Sequence, residues 1–352
     1  MRRIGLTGCL LMTLAACDNS DHTTGPLRTP DGPTAAAAAQ FTIRSLGTLG
    51  GDFSAGNGIN QRGEVVGFSN LASGEERAFL WREGQGMASL GALGGANSRA
   101  RGINDRSEVV GFSEIEPGSS ITRAFLWTEA AGMRSLGTLG GINSVANAIN
   151  NRGEVVGVSD TRKGDARAFF LRPGGRMQGL GTLGGAESRA RAINDAGQVV
   201  GFSQTEEGDD HAFLWTAAGG MRDLGTLGGA GSAAFGISQT GEIVGASETA
   251  EGTEEAFLWT QADGMRRLGL LGRDPKTLAA AVNSSRWVVG NSVDDADEVG
   301  LPFLWTPERG LRQLPTLGGR HGQPTGVTEL GLIAGTSVTA DGAARAALWV
   351  AR

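Results

Sequence analysis

A six-residue tag, Leu-Gly-Thr-Leu-Gly-Gly, begins at Leu46 and returns, sometimes altered, at Leu90, Leu136, Leu180, Leu224, Leu268 and Leu314. Successive copies lie 44 or 46 residues apart. A period in the mid-forties, built of short apolar runs and glycine turns, is the signature of a propeller blade. Most of the 59 glycines recur at fixed places in this repeat, so they mark turns and not disorder.

One repeat, residues 54–93, reads as four strands. Ser54 to Asn60 is small and extended. Asn60-Gln61-Arg62-Gly63 fits a type I turn. Glu64 to Ser69 carries the β-branched pair Val65-Val66, and Ala78-Phe79-Leu80-Trp81 follows a polar loop. Met87 to Leu93, running into the next tag, is expected as the fourth strand. Phe-Leu-Trp puts apolar groups on both faces of a strand, because side chains alternate. Such a strand needs cover on both faces, as when blades stack.

The two ends of the chain say how the repeats close. Phe41 to Leu49 matches a fourth strand, and Ala347 to Val350 matches a third. Between them lie six complete sets of four, so the first strand added to the last three makes a seventh blade without an open join. The expectation is an all-β, seven-bladed β-propeller over residues 41–352, with a β-solenoid or an unusual sandwich as alternatives. Gly58, Gly102, Ala148, Ala192, Gly236, Ala281 and Gly326 occupy one equivalent position. Uniformly small side chains there suit crowding near an axis, which makes the first strand of each set the innermost.

Both cysteines, Cys9 and Cys17, precede the repeats. Residues 1–16 read as an export leader, with Arg2 and Arg3 ahead of a short uncharged apolar stretch. The stretch ends in Leu14-Ala15-Ala16-Cys17, which resembles the bacterial lipobox. That resemblance implies cleavage before Cys17 and a lipid on its thiol, hence anchorage in the cell envelope facing the periplasm or exterior. Residues 17–40, with Pro26, Pro30 and Pro33, read as a flexible tether.

The net charge of −6 argues against a nucleic-acid partner, which needs a Lys/Arg face. The three histidines, His22, His211 and His321, do not sit at metal-ligand spacing. There is no tyrosine to act as a sialidase-type nucleophile. No catalytic residue and no required cofactor are expected.

Two groups of residues are candidates for binding. Arg99, Arg101, Arg189 and Arg191, with Asn57 and Asn147, fall on otherwise small-residue inner strands, where they would line the channel mouth and meet an anionic or sugar ligand. The alternative is that these arginines neutralise neighbouring acidic loops. The second group fills three consecutive loops between second and third strands. It comprises Glu206, Glu207, Asp209 and Asp210, then Glu248, Glu251, Glu254 and Glu255, then Asp294, Asp295, Asp297 and Glu298. This acidic crescent reads either as a dock for a basic partner or Ca²⁺, or as a solvated rim.

His211-Ala212-Phe213 and its variants Arg77-Ala78-Phe79, Arg123-Ala124-Phe125, Arg167-Ala168-Phe169 and Glu255-Ala256-Phe257 resemble the bacterial HAF-type extracellular repeats. So do the Leu-Gly-Thr-Leu-Gly-Gly tag and Ile59-Asn60-x-x-Gly63-Glu64-Val65-Val66-Gly67. The resemblance spans residues 41–352. It implies an exported envelope protein and no particular activity. The sequence thus leads to a binding or assembly scaffold with a protein or glycan partner. An envelope hydrolase with a site at the channel mouth, or a structural surface protein without a discrete ligand, is the alternative.

Overall fold

A computed structural model describes residues 41–272, 274–293 and 300–352. The leader, Cys17, the tether, Arg273 and the acids Asp294, Asp295, Asp297 and Glu298 lie outside the described residues. The described chain forms seven four-stranded antiparallel sheets and no helix. Each first strand touches the first strands of both neighbouring sheets, and the last touches the first, so the seven close into a ring around a channel. Blade 1 consists of Gly50–Ile59, Val65–Leu71, Glu76–Arg82 and Gly86–Ser89, paired in chain order from channel to rim. Blades 2 to 6 repeat this. Blade 7 takes Gly318–Val327, Ile333–Thr339 and Ala344–Ala351 from the end of the chain and Phe41–Ser45 from its beginning. Phe41 faces Ala351 and Ser45 faces Ala347 in register.

The tag departs from the expected fourth strand. The outer strand of blade 1 stops at Ser89, and the tag carries the chain from rim to channel of the next blade. Gly91 bends the backbone out of the sheet at φ +79°. Leu90 is tucked under the blade, its N–H donating to Ala78 O at 2.8 Å, and the N–H of Leu93 donates to Ser113 Oγ at 2.9 Å.

The core is shared between blades. Val66, Ala78 and Leu80 of blade 1 pack on Ala100, Ile103, Val109 and Phe125 of blade 2, and the same arrangement recurs around the ring. Phe79, Phe125, Phe169, Phe213, Phe257 and Phe303 are fully buried. Each such ring removed from water contributes roughly 2 kcal/mol.

A hydroxyl staples most seams. Ser98 Oγ accepts from the Ala78 N–H of the preceding blade (2.9 Å) and donates to Gly91 O (2.6 Å). Ser144, Ser188, Ser232, Thr277 and Ser54 accept in the same way from Ala124, Ala168, Ala212, Ala256 and Ala346. At the seam of blades 6 and 7 the acceptor position is Gly322 and the donor position is Pro302, which has no N–H.

The turn asparagines form a second belt. Asn60 Oδ1 accepts from the N–H groups of Arg62 and Glu64, and its Nδ2 donates to Asn104 O of the next blade at 3.0 Å. Asn104, Asn150, Asn194 and Asn283 bridge to their neighbours at the same distance. Ser238 and Thr328 are too short for this reach. Ser238 Oγ bonds within its own turn, to Glu242, and no bridge leaves either residue among the described residues.

Candidate ligand site in the central channel

Each inner strand carries one residue more than its partner opposes, a β-bulge at the same place in all seven blades. The extra residues are Asn57, Arg101, Asn147, Arg191, Phe235, Ala280 and Thr325, and all seven line the channel. The facing glycine of the Val-Val-Gly run makes room for the bulge. A Cβ on Gly111 would lie 2.0 Å from Arg99 O, and a Cβ on Gly201 would lie 2.0 Å from Arg189 O. Backbone packing therefore aims one side chain per blade at a cavity of about 400 Å³, within the range of small-molecule sites.

Three of the seven bulge residues are bound into the wall. Asn57 Nδ2 donates to Ala100 O (2.8 Å), Asn147 Nδ2 to Ala190 O (2.7 Å) and Thr325 Oγ1 to Gly56 O (3.1 Å). Each links its blade to the next. Asn147 Oδ1 also accepts from Arg101 Nη1 at 3.2 Å.

The four candidate arginines separate into two kinds. Arg99 forms a two-pronged ion pair with Glu76 (2.5 and 2.8 Å) and lies over the Phe68 ring at 4.3 Å. Arg189 pairs with Glu187 at 3.0 Å and is not among the channel-lining residues. For these two, neighbouring acids supply the counter-charge. Arg101 and Arg191 have no carboxylate within ion-pair distance among the described residues. Their guanidinium groups rest over Phe112 (5.2 Å) and Phe202 (5.3 Å). Arg191 Nε is buried with no hydrogen-bond partner.

Burial, with repulsion from Arg99, lowers the Arg101 pKa to about 10. Burial, with repulsion from Arg101 and Arg189, lowers that of Arg191 to about 9. Both remain charged at neutral pH, so the channel holds two half-buried cations without a carboxylate partner among the described residues. The lining contains no histidine, cysteine, aspartate or glutamate among the described residues.

Among the described residues, the acids of the loops at 206–210 and 248–255 form no metal-type cluster. Glu206, Glu207 and Asp209 are exposed. Asp210 begins a strand opposite Gln204, and burial raises its pKa. Glu251 and Glu255 both reach Arg267, at 3.4 and 3.7 Å. Burial also raises the Glu254 pKa, and its Oε1 lacks a partner. Among the described residues no three His, Cys, Asp or Glu side chains gather as a metal would need. His211 Nδ1 sits 2.8 Å from Asp223 on the outside of blade 4.

No protein-family model matches the chain, and no curated protein matches it by sequence. Similarity appears in solved structures. An oligogalacturonate lyase in complex with manganese superposes with a TM-score of 0.59 at 12% identity, covering 88% of this chain and 93% of that one. A virginiamycin B lyase from Staphylococcus aureus gives 0.54 at 12% identity, covering 89% and 100%. TolB from Acinetobacter baumannii gives 0.49 at 13% identity, and this chain spans 66% of its length. At such identities the likeness to the two lyases bears on the propeller fold alone and says nothing about activity.

Proposed function

We propose that the protein is an exported, lipid-anchored propeller that serves as a binding or assembly scaffold in the cell envelope, with a protein or glycan partner. The observation that carries this reading is how the repeat divides its labour. Positions that recur in every blade are used for staples, turns and core. The bulge position, the one point where every blade presents a side chain to the channel, runs through Asn, Arg, Asn, Arg, Phe, Ala and Thr. A surface made variable on an otherwise uniform frame suits selective binding. Among the described residues the lining offers donors and apolar faces, and no histidine, cysteine, aspartate or glutamate for proton transfer. The export leader read at residues 1–16, ahead of Cys17, and the resemblance to HAF-type repeats support the envelope location.

The test is an affinity pull-down from the native envelope with the full-length protein, with calcium and with chelator. An enriched protein or glycan that is lost on charge reversal at Glu206, Glu207 and Asp209 would support docking at the acidic face. An enriched partner indifferent to that change would move the dock to the channel. No enriched partner in either condition would defeat the scaffold reading.

A further inference from the structure

We propose that the channel binds a small organic carboxylate, held by Arg101 and Arg191 with its apolar flank against Phe235, Leu278 and Ala280. This names the ligand chemistry of the channel and rests on the binding role proposed above.

A charged side chain removed from water is normally paired, because the desolvation penalty otherwise goes uncompensated. The same inner strands show that rule at work, since Arg99 and Arg189 both have their glutamates. Arg101 and Arg191 stand two residues further along and have none. They are nonetheless held in place. Each lies over a phenylalanine ring of its own blade, which supports the guanidinium face and leaves its edge donors directed elsewhere. Asn147, between them on blade 3, is locked to Ala190 O and fixes one edge of Arg101. Arg191 Nε is a buried donor still lacking an acceptor.

A planar anion between two planar forks satisfies such a site, and carboxylate matches guanidinium geometry. An anion there would also offset the repulsion between the two cations. The opposite side of the cavity offers an apolar surface, Phe235 from blade 5 with Leu278 and Ala280 from blade 6, bordered by Asn291 of blade 6 and by Gln323 and Thr325 of blade 7. A fully hydrated inorganic anion gains nothing from that wall, whereas a carboxylate on an apolar body uses both sides.

Isothermal titration of the full-length protein in detergent with benzoate, benzyl alcohol and inorganic phosphate tests this. The expected result is saturable benzoate binding at one per chain, with benzyl alcohol and phosphate each about tenfold weaker or more. Arg101→Gln and Arg191→Gln should each weaken benzoate about tenfold, while Arg189→Gln, which removes a guanidinium paired with Glu187 outside the channel lining, should change it by less than about twofold. Melting curves without ligand confirm that each variant is folded. The wild-type comparison of benzoate with benzyl alcohol needs no variant at all. Benzoate binding no tighter than benzyl alcohol, phosphate binding as tight as benzoate, or full binding by folded Arg191→Gln would each overturn the inference. An envelope partner captured by a protein that ignores benzoate would leave the scaffold role standing and remove only this ligand.

Discussion

Blades 1 to 4 and blades 5 to 7 are built from the same repeat, yet they meet their neighbours differently. In the first arc every seam has the serine staple and the asparagine bridge. In the second arc the seam of blades 5 and 6 loses the bridge at Ser238, that of blades 7 and 1 loses it at Thr328, and that of blades 6 and 7 loses the staple. The lost bridges and the lost staple differ in kind. Ser238 is a plain shortening, partly offset by the Arg286–Glu242 ion pair at 3.3 Å. Pro302 with Gly322 is a paired exchange in which donor and acceptor vanish together, and the proline ring fills the space of the missing hydroxyl. A Cβ on Gly322 would sit 2.9 Å from Pro302 Cγ. A buried hydrogen bond can thus be removed without an orphaned group, provided both ends change. The channel shows a related asymmetry, with Arg101 and Arg191 on blades 2 and 4 and the apolar bulge residues Phe235 and Ala280 on blades 5 and 6.

The largest expected effect comes from blade 7. Deleting residues 41–49 strips the rim strand and exposes the edge of Ala344–Ala351. A loss of several kcal/mol, with aggregation or a melting temperature lowered by more than about 10 °C, is expected. An unchanged melt would refute closure by this strand.

Next is the paired exchange. Gly322→Ser alone should cost about 2 kcal/mol through overpacking against Pro302. Pro302→Ala alone should cost a similar amount by leaving an N–H without an acceptor. The double variant rebuilds the staple, and chemical denaturation should show it recovering most of both losses. Additive losses would mean that the two positions are independent.

Acid titration separates Glu64 of blade 1 from Gln198 of blade 4, which hold equivalent turn positions. Burial alone would raise the Glu64 pKa, but hydrogen bonds from Arg82, Ser107, Arg62 and Asn60 bring it down to about 2. A carboxylate depressed in the folded state stabilises fully above its unfolded pKa of about 4.5 and loses that contribution as pH falls toward 2. Gln198 makes the same bond to its asparagine without charge, at 2.7 Å. Glu64→Gln should therefore lose less stability than wild type between about pH 5 and pH 3, by on the order of 1–2 kcal/mol. Equal acid sensitivity would show that Glu64 contributes little.

The smallest effect tests the bridge. Asn104→Ala in the regular arc should cost about 1–2 kcal/mol, since it removes the bridge to Asn150 O and strips acceptors from two part-buried N–H groups. Ser238→Asn in the irregular arc should gain about 0.5 kcal/mol. A loss on adding that asparagine would mean that the seam of blades 5 and 6 is not short of a bond but shaped without one.

The architecture was legible because a repeat states its register many times over. The count of strands at both ends foretold closure, and the doubly apolar Phe-Leu-Trp run foretold stacked faces. The tag misled because leucines at extended spacing resemble a strand until Gly91 turns the chain. At the candidate site, residue types were visible but partners were not. Glu76 and Arg99 come from adjacent blades, so only the assembled ring tells a neutralised arginine from one left unpaired. The bulge did leave a trace, in the glycine that ends every Val-Val-Gly run. Its reason, a carbonyl 2.0 Å from where a Cβ would be, belongs to three dimensions.

The strand that completes the ring is also the one joined to everything before residue 41. Tension arriving through those residues would fall first on the pairing of Phe41 with Ala351. Drawn along the strand axis, all five paired residues resist together. Drawn outward from the rim, the pairs break in sequence. Only blade 7 would open, because the other six sheets take all four strands from contiguous chain. The ring therefore has a built-in order of mechanical failure, set by where its first strand was placed.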